Sequence, residues 1–228
     1  MSDSLNLFYI LVEAVFSFVI IFVVSKIVAK IKIAGEQFRV VILSALVIYH
    51  SSKITGECAW HYGAIFGGWI GALMLCLVAA LVILTTYLSG SRRCISLWGI
   101  GYVISVSMGS SYSLSVHPLL TAFLSSGEQF MTAAGTQPAG TGVARGAGVG
   151  KSAVSFRYSL LIILIKAAVS AAAVFSGEFY SDIPIAFMAA ASAGVIYCSL
   201  LEISRMENIK IKYISAGLLL GIFISSVM

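Results

Sequence analysis

Two charged residues lie inside otherwise apolar runs of the sequence. Glu13 lies within the run 5–29, and Lys166 lies at the centre of the run 158–177. A charge at mid-bilayer costs about 2.5–3.5 kcal/mol on insertion scales, so each residue needs a polar partner or water. Because they are the only ionisable residues well inside these runs, we expect Glu13 and Lys166 to form a pair.

A Glu13–Lys166 pair fits two roles. It is either a static strap that orients the first and fifth membrane spans, or a functional site in an ion or proton path. Buried charge pairs are weak evidence for stability, although they are often retained for specificity. In a third arrangement, both residues face an oligomer interface and never meet.

A second set of polar residues lies in the segment 95–124, which otherwise has the length of a tilted span. Exposed backbone groups at membrane depth are tolerated only when they are buried in protein or line a wet cavity. The segment therefore predicts a pore or substrate path, and His117 is the candidate for pH gating, although an ordinary hydrogen-bonded histidine is the plainer interpretation. The residues assigned to this path are Ser107, Ser110, Ser111, Ser113 and His117.

The composition indicates the class of protein in which these residues lie. The 228 residues are 60% hydrophobic and 10% charged, with a mean hydropathy of +1.03. Soluble domains carry about a quarter charged residues, so the chain is predicted to be an integral membrane protein with one domain, 1–228. The net charge of +5 then points to orientation and contact with lipid headgroups, and not to nucleic acid.

Apolar runs matched to the bilayer give six spans, because a helix needs about 20 apolar residues to cross. The first is expected to remain as an anchor, since no cleavage site follows it. Asp182 and Pro184 are typical of a helix start. The predicted spans are 5–29, 38–52, 59–88, 158–177, 183–203 and 209–228.

Basic residues indicate how 95–124 lies in the membrane. If it crosses once, as a kinked helix, the two faces hold six and seven basic residues. If it enters and returns, twelve share one face and only Lys53 lies opposite, as the positive-inside rule expects. We therefore predict an all-α polytopic protein with six spans and a re-entrant hairpin, with arms at 98–108 and 113–123; the single-crossing alternative has seven spans.

This topology places the N-terminus outside and a Gly-rich loop, 125–157, in the cytoplasm. The basic residues of the loop, Arg145, Lys151 and Arg157, are expected to contact anionic lipid headgroups or a partner's acidic surface. Glycines at four-residue spacing predict close helix packing and favour a homo-oligomer. These glycines are Gly63, Gly67 and Gly71 in one span and Gly217 and Gly221 in another.

Several chemistries are not expected. The stretch "RGAGVGKSAVS" resembles the phosphate-binding loop of P-loop NTPases, but Arg145 stands where that pattern requires glycine and no strand precedes it, so no nucleotide is expected. The four cysteines lack metal-ligand spacing, and His50 and His61, expected near the outer surface, are not at the four-residue spacing of a metal site. No hydrolase signature occurs, so we expect neither an enzyme nor a cofactor.

The sequence therefore favours a membrane channel or carrier whose path lies near the serines of 95–124, with Glu13 and Lys166 as further candidates. The alternative is a non-transporting subunit of a larger membrane assembly, such as a secretion, conjugation or energy-transducing complex. In that alternative, the basic Gly-rich loop docks a partner.

Overall fold

The computed structural model describes residues 2–30, 35–89, 94–109, 118–137, 156–176, 182–207 and 209–227. Within these ranges the regular elements are all helical, as predicted. The helices are α1 Ser2–Lys30, α2 Gly35–Lys53, α3 Ala59–Phe66, α4 Gly68–Ser89, α5 Cys94–Gly109, α6 Pro118–Thr136, α7 Phe156–Ser176, α8 Asp182–Ser204 and α9 Ile211–Val227.

Hydrogen bonds between helix termini define the two ends of the bundle. Arg39, near the start of α2, contacts Glu202 near the end of α8 and the carbonyl oxygen of Gln137 just after α6. We call this the Arg39 end. The opposite end, where α2 finishes, is the Lys53 end, and there Ser52 contacts Ser225 near the end of α9.

The segment 95–124 forms two helices, α5 and α6. The Ser96 hydroxyl at the start of α5 donates to the Thr136 carbonyl at the end of α6 over 2.7 Å. The start of α5 and the end of α6 therefore lie at the same end of the bundle, as the returning arrangement requires, whereas the number of membrane crossings stays a prediction. Residues 110–117 lie outside the described residues; they include most of the predicted tip and the start of the second predicted arm.

Helix α6 corrects the prediction of a loop at 125–157. The helix continues to Thr136, past the predicted arm that ended at 123, and residues 129–137 are buried. Polar side chains of α6 bind polar groups of neighbouring helices, so this weakly apolar segment is stable as a helix inside the bundle. Of the remainder of the predicted loop, 138–155 lies outside the described residues.

The predicted span 59–88 is wrong as one continuous helix. Helix α2 continues through a π-helical turn, Ile54–Cys58, into α3, and the chain then turns at Gly67, whose φ is 82°. Residues other than glycine rarely adopt this backbone conformation, so the turn separates α3 from α4. A Cβ built on Gly71 would lie 2.7 Å from the Tyr62 carbonyl oxygen. The absence of a side chain at Gly71 therefore allows α4 to pack directly against the backbone of α3.

The core joins five helices around α2 and α8. Ile21, Leu46, Phe130, Ile163 and Val195 come from α1, α2, α6, α7 and α8 and pack in one cluster. Helix α2 is buried on nearly all sides between 40 and 50. Helix α2 therefore lies at the centre of the bundle.

Helix α9 packs against α2 at backbone distance. A Cβ built on Gly217 would lie 2.3 Å from the Val41 carbonyl oxygen, and one built on Gly221 would lie 2.7 Å from that of Ala45. These glycines are therefore used within the chain, as Gly71 is. Their spacing no longer argues for an oligomer.

Replacing Gly217 with alanine should lower the free energy of unfolding by about 1–3 kcal/mol, because the added methyl group overlaps a backbone oxygen that cannot rotate away. Gly127→Ala is the matched control, since a Cβ there has no neighbour within 4 Å. That control should be neutral or stabilising by about 0.5–1 kcal/mol, because alanine favours helix. Unfolding in detergent measures both; equal stability of the two variants would contradict the α2–α9 contact.

The outward surface of the bundle is apolar. Helix α4 leaves large side chains exposed along its length, among them Trp69, Leu73, Leu77 and Leu81. Four helical stretches within the described residues are long and apolar enough to cross a membrane, and α5 and α9 are apolar but shorter. The four are Leu7–Val24, Gln37–Phe66, Gly68–Ser89 and Pro184–Ser204. The fold is therefore compatible with an integral membrane protein.

Candidate functional site

Glu13 of α1 and Lys166 of α7 meet inside the bundle. The Lys166 Nζ lies 2.5 Å from the Glu13 Oε1, and the two side chains are 8% and 9% exposed. The predicted pair is therefore present within one chain, and the arrangement in which the two residues never meet does not apply.

Helix α6 contributes to this pair from its face towards α1 and α7. Ser125 accepts a hydrogen bond from the Lys166 ammonium and donates one to the Glu13 carboxylate. The Gln129 amide donates to the Glu13 Oε1 over 3.1 Å. Side chains from three helices thus meet at the buried Glu13 carboxylate. We call these four residues the Glu13 cluster: Glu13, Ser125, Gln129 and Lys166.

The sequence carries a signal for this face of α6 that composition alone hides. Ser125, Gln129, Thr132 and Thr136 follow one another at intervals of three or four residues, which places polar groups along one side of a helix. Phe130 and other apolar residues of the same segment pack in the core. A polar stripe at helical spacing within 125–137 is therefore the sequence signal that indicates an internal helix.

A second carboxylate lies on another face of α6, towards α2 and α5. The Tyr102 hydroxyl donates to the Glu128 Oε1 over 2.7 Å and lies 3.3 Å from the Tyr49 hydroxyl. Both tyrosines are buried, and their rings meet edge to face. We call Glu128, Tyr102 and Tyr49 the Glu128 cluster, which the sequence reasoning did not identify.

His50 borders the Glu128 cluster and is buried between helices, three residues before Lys53; its predicted position near the outer membrane surface stays a prediction. Its ring is fully buried, with its centroid 4.3 Å from that of Tyr102. The Nδ1 lies 3.1 Å from the Ser192 hydroxyl of α8. At the Lys53 end, Lys53 forms an ion pair with Glu57 one helical turn later. Charged side chains therefore extend from the Glu128 cluster to the surface of the bundle.

A third polar group closes the Arg39 end. The Arg39 Nε and Nη2 contact the Glu202 Oε2 over 3.0 and 2.5 Å, and Nη2 also donates to the Gln137 carbonyl over 3.3 Å. Beside it, the Tyr158 hydroxyl of α7 lies 2.9 Å from the Thr136 Oγ1. These contacts tie α2, α6, α7 and α8 together at that end.

The predicted serine path is only partly within the described residues. Ser107 is buried in α5, where its hydroxyl donates to the Val103 carbonyl over 2.6 Å. Arg157 is exposed at the start of α7. The other residues of the predicted path and of the predicted lipid contact lie outside the described residues, namely Ser110, Ser111, Ser113, His117, Arg145 and Lys151.

The described residues include the two carboxylate clusters and four cysteines as candidate ligands or reactive groups. No group of three His, Cys, Asp or Glu side chains with metal-site geometry occurs in the part of the chain that the structure describes. Cys58, Cys94 and Cys198 are buried packing residues, whereas Cys76 is exposed on α4.

Comparison of the chain with models of protein families, with curated proteins and with solved structures gave no match.

Proposed function

We propose that the protein is a multi-pass membrane transport protein, a channel or carrier, whose path follows α6. The observation that carries this proposal is the presence of ionisable groups on two faces of one internal helix, in the Glu13 and Glu128 clusters. Charged groups within membrane helices are costly and usually mark ion pathways or proton relays. A strap between two helices needs one pair and leaves the second carboxylate unexplained.

Unpaired polar atoms near α6 support the same proposal. Gln129 Oε1 and Thr132 Oγ1 on α6 are buried and have no hydrogen-bond partner among the described residues. Leaving such an atom unsatisfied costs about 1–3 kcal/mol, and water bound in a polar cavity removes that cost. A hydrated path along α6 would satisfy these atoms in a way that a dry, purely structural bundle would not.

The distribution of basic residues supports an orientation with the Arg39 end in the cytoplasm and the N-terminus outside. Lys53 lies at the other end, beside Glu57. Cytoplasmic flanks of membrane helices carry an excess of lysine and arginine. The described residues that would flank the cytoplasmic surface are Arg39, Arg157, Arg205, Lys210 and Lys212. In this orientation the Gly-rich segment beyond α6 would face anionic headgroups or a partner.

Cysteine accessibility tests the transport path. Thr132 and Ala133 are neighbours on α6 and are 1% and 0% exposed, but Thr132 has an unpaired hydroxyl whereas Ala133 packs in an apolar cluster. In a background without native cysteines, Thr132→Cys should react with a small charged thiosulfonate about tenfold faster or more than Ala133→Cys, because the reaction needs a hydrated thiolate. Equally slow reaction at both positions would mean a dry interior and would overturn the transport proposal.

A second candidate function is a non-transporting subunit of a larger membrane assembly. Helix α4 favours it, because α4 packs mainly on α3 and α8 and leaves a long apolar face, including Trp69, Leu73 and Leu77, for another helix. This candidate predicts equally slow labelling of the two cysteines. It also predicts loss of assembly, without loss of folding, when residues 138–152 are deleted.

A further inference from the structure

We infer that the ion carried along α6 is the proton and that Glu128 is its binding site; this inference rests on the proposed transport function. The two carboxylates beside α6 differ in their partners. Glu13 is held by the Lys166 ammonium, so protonating it would break an ion pair. Among the described residues no basic nitrogen lies within ion-pair distance of Glu128, whose hydrogen-bond partner at 2.7 Å is the Tyr102 hydroxyl. Glu128 can therefore gain or lose a proton without breaking an ion pair.

Titratable or charged groups surround Glu128 from each helix that packs on α6. Lys53 is close enough to attract the Glu128 carboxylate, but its hydrogen bond is to Glu57. Lys53 thus offsets part of the negative charge while leaving the carboxyl oxygens available. The other groups are Tyr49 and His50 from α2, Tyr102 from α5, and Glu13 and Lys166 across α6 from α1 and α7.

The tyrosine hydroxyls supply two steps of a proton route to the Glu128 carboxylate. Each hydroxyl can accept one proton while it donates another. A proton bound by the Tyr49 oxygen releases the proton of Tyr49 to the Tyr102 oxygen, and Tyr102 releases its own proton to the Glu128 Oε1. One O–H bond forms for each that breaks, so the net change is one proton moved from a hydronium ion at the Tyr49 hydroxyl to Glu128. The separation of 2.7 Å between Tyr102 and Glu128 permits the second transfer, and the first requires the two tyrosine oxygens to approach from 3.3 Å to about 3.0 Å or less.

Proton flux into liposomes tests the inference. Purified protein is reconstituted with a trapped pH-sensitive dye, and a potassium gradient with valinomycin imposes a membrane potential. Wild-type protein should carry protons, and Glu128→Gln should lower the rate by about tenfold or more, because glutamine keeps the oxygen that accepts from Tyr102 but cannot bind a transferable proton. Tyr102→Phe should also lower the rate, whereas Glu207→Gln, an exposed carboxylate at the other end, should not.

The outcomes separate the proton inference from the transport proposal. Sodium or potassium flux without proton flux would overturn the inference and leave transport standing. Proton flux that is unchanged in a folded Glu128→Gln protein would overturn the role of Glu128. Absence of all three fluxes, together with equal labelling at positions 132 and 133, would overturn both proposals.

Discussion

Replacing Lys166 with methionine is expected to lower the free energy of unfolding by about 3–5 kcal/mol, because the substitution leaves the Glu13 carboxylate charged, buried and without its cation. Ser125 and Gln129 still donate hydrogen bonds to Glu13, but neutral donors do not replace the full charge. Leu164→Met is the matched control, since it places the same side chain on the exposed face of α7. That control should change stability by less than about 0.5 kcal/mol.

The double variant Glu13→Gln/Lys166→Met should recover most of the stability lost by Lys166→Met. Neutralising both partners removes the uncompensated charge, and glutamine retains an oxygen that can accept from Ser125 and Gln129. Unfolding in detergent measures the stability, and proton flux in liposomes measures function. A double variant that folds but conducts poorly favours a path, whereas one that folds and conducts normally makes the pair a strap. If Lys166→Met alone were as stable as the wild type, the Glu13–Lys166 pair would not be desolvated.

The Glu13–Lys166 contact could be predicted from the sequence because the bilayer restricts where charge can lie. A charged side chain in the middle of an apolar run needs a partner, and these two residues had few alternatives. The same restriction explains why helix bounds such as Asp182–Ser204 lie close to the predicted span 183–203. Length and hydropathy determine these elements almost without tertiary information.

Helix α6 could not be predicted in this way, because its stability depends on its neighbours. Its segment is too polar for a lipid-facing span, and Gly, Ser and Thr are also typical of loops. Polar residues become compatible with a membrane interior only when other helices bind them, as Glu13 binds Ser125 and Tyr102 binds Glu128. The Glu128 cluster was missed with the helix that carries it.

The turn at Gly67 illustrates a different ambiguity. Glycines four residues apart can form a packing face on one helix, or one of them can break the helix with a positive φ. Nothing in the spacing of Gly63, Gly67 and Gly71 distinguishes these two uses. The backbone at Gly67 adopts the second, and Gly71 allows α4 to pack closely against the Tyr62 carbonyl of α3.

Arg39→Met is expected to lower the free energy of unfolding by about 3 kcal/mol, because it leaves the Glu202 carboxylate largely buried and without its cation. Arg39→Lys should retain part of the stability. A lysine ammonium keeps the charge, but it cannot reproduce the planar fork with which Arg39 reaches both Glu202 and the Gln137 carbonyl. The expected order of stability is therefore wild type, Arg39→Lys, Arg39→Met.

Arg157→Met separates this effect from a general loss of positive charge at the Arg39 end. Arg157 is exposed at the start of α7, so its replacement should change stability by less than about 0.5 kcal/mol. A double-mutant cycle with Glu202→Gln then isolates the pair: the loss caused by Arg39→Met should shrink when position 202 is neutral, because no buried charge remains to be compensated. Additive losses would contradict a direct Arg39–Glu202 interaction and would leave only the Gln137 contact to explain the effect of Arg39→Met.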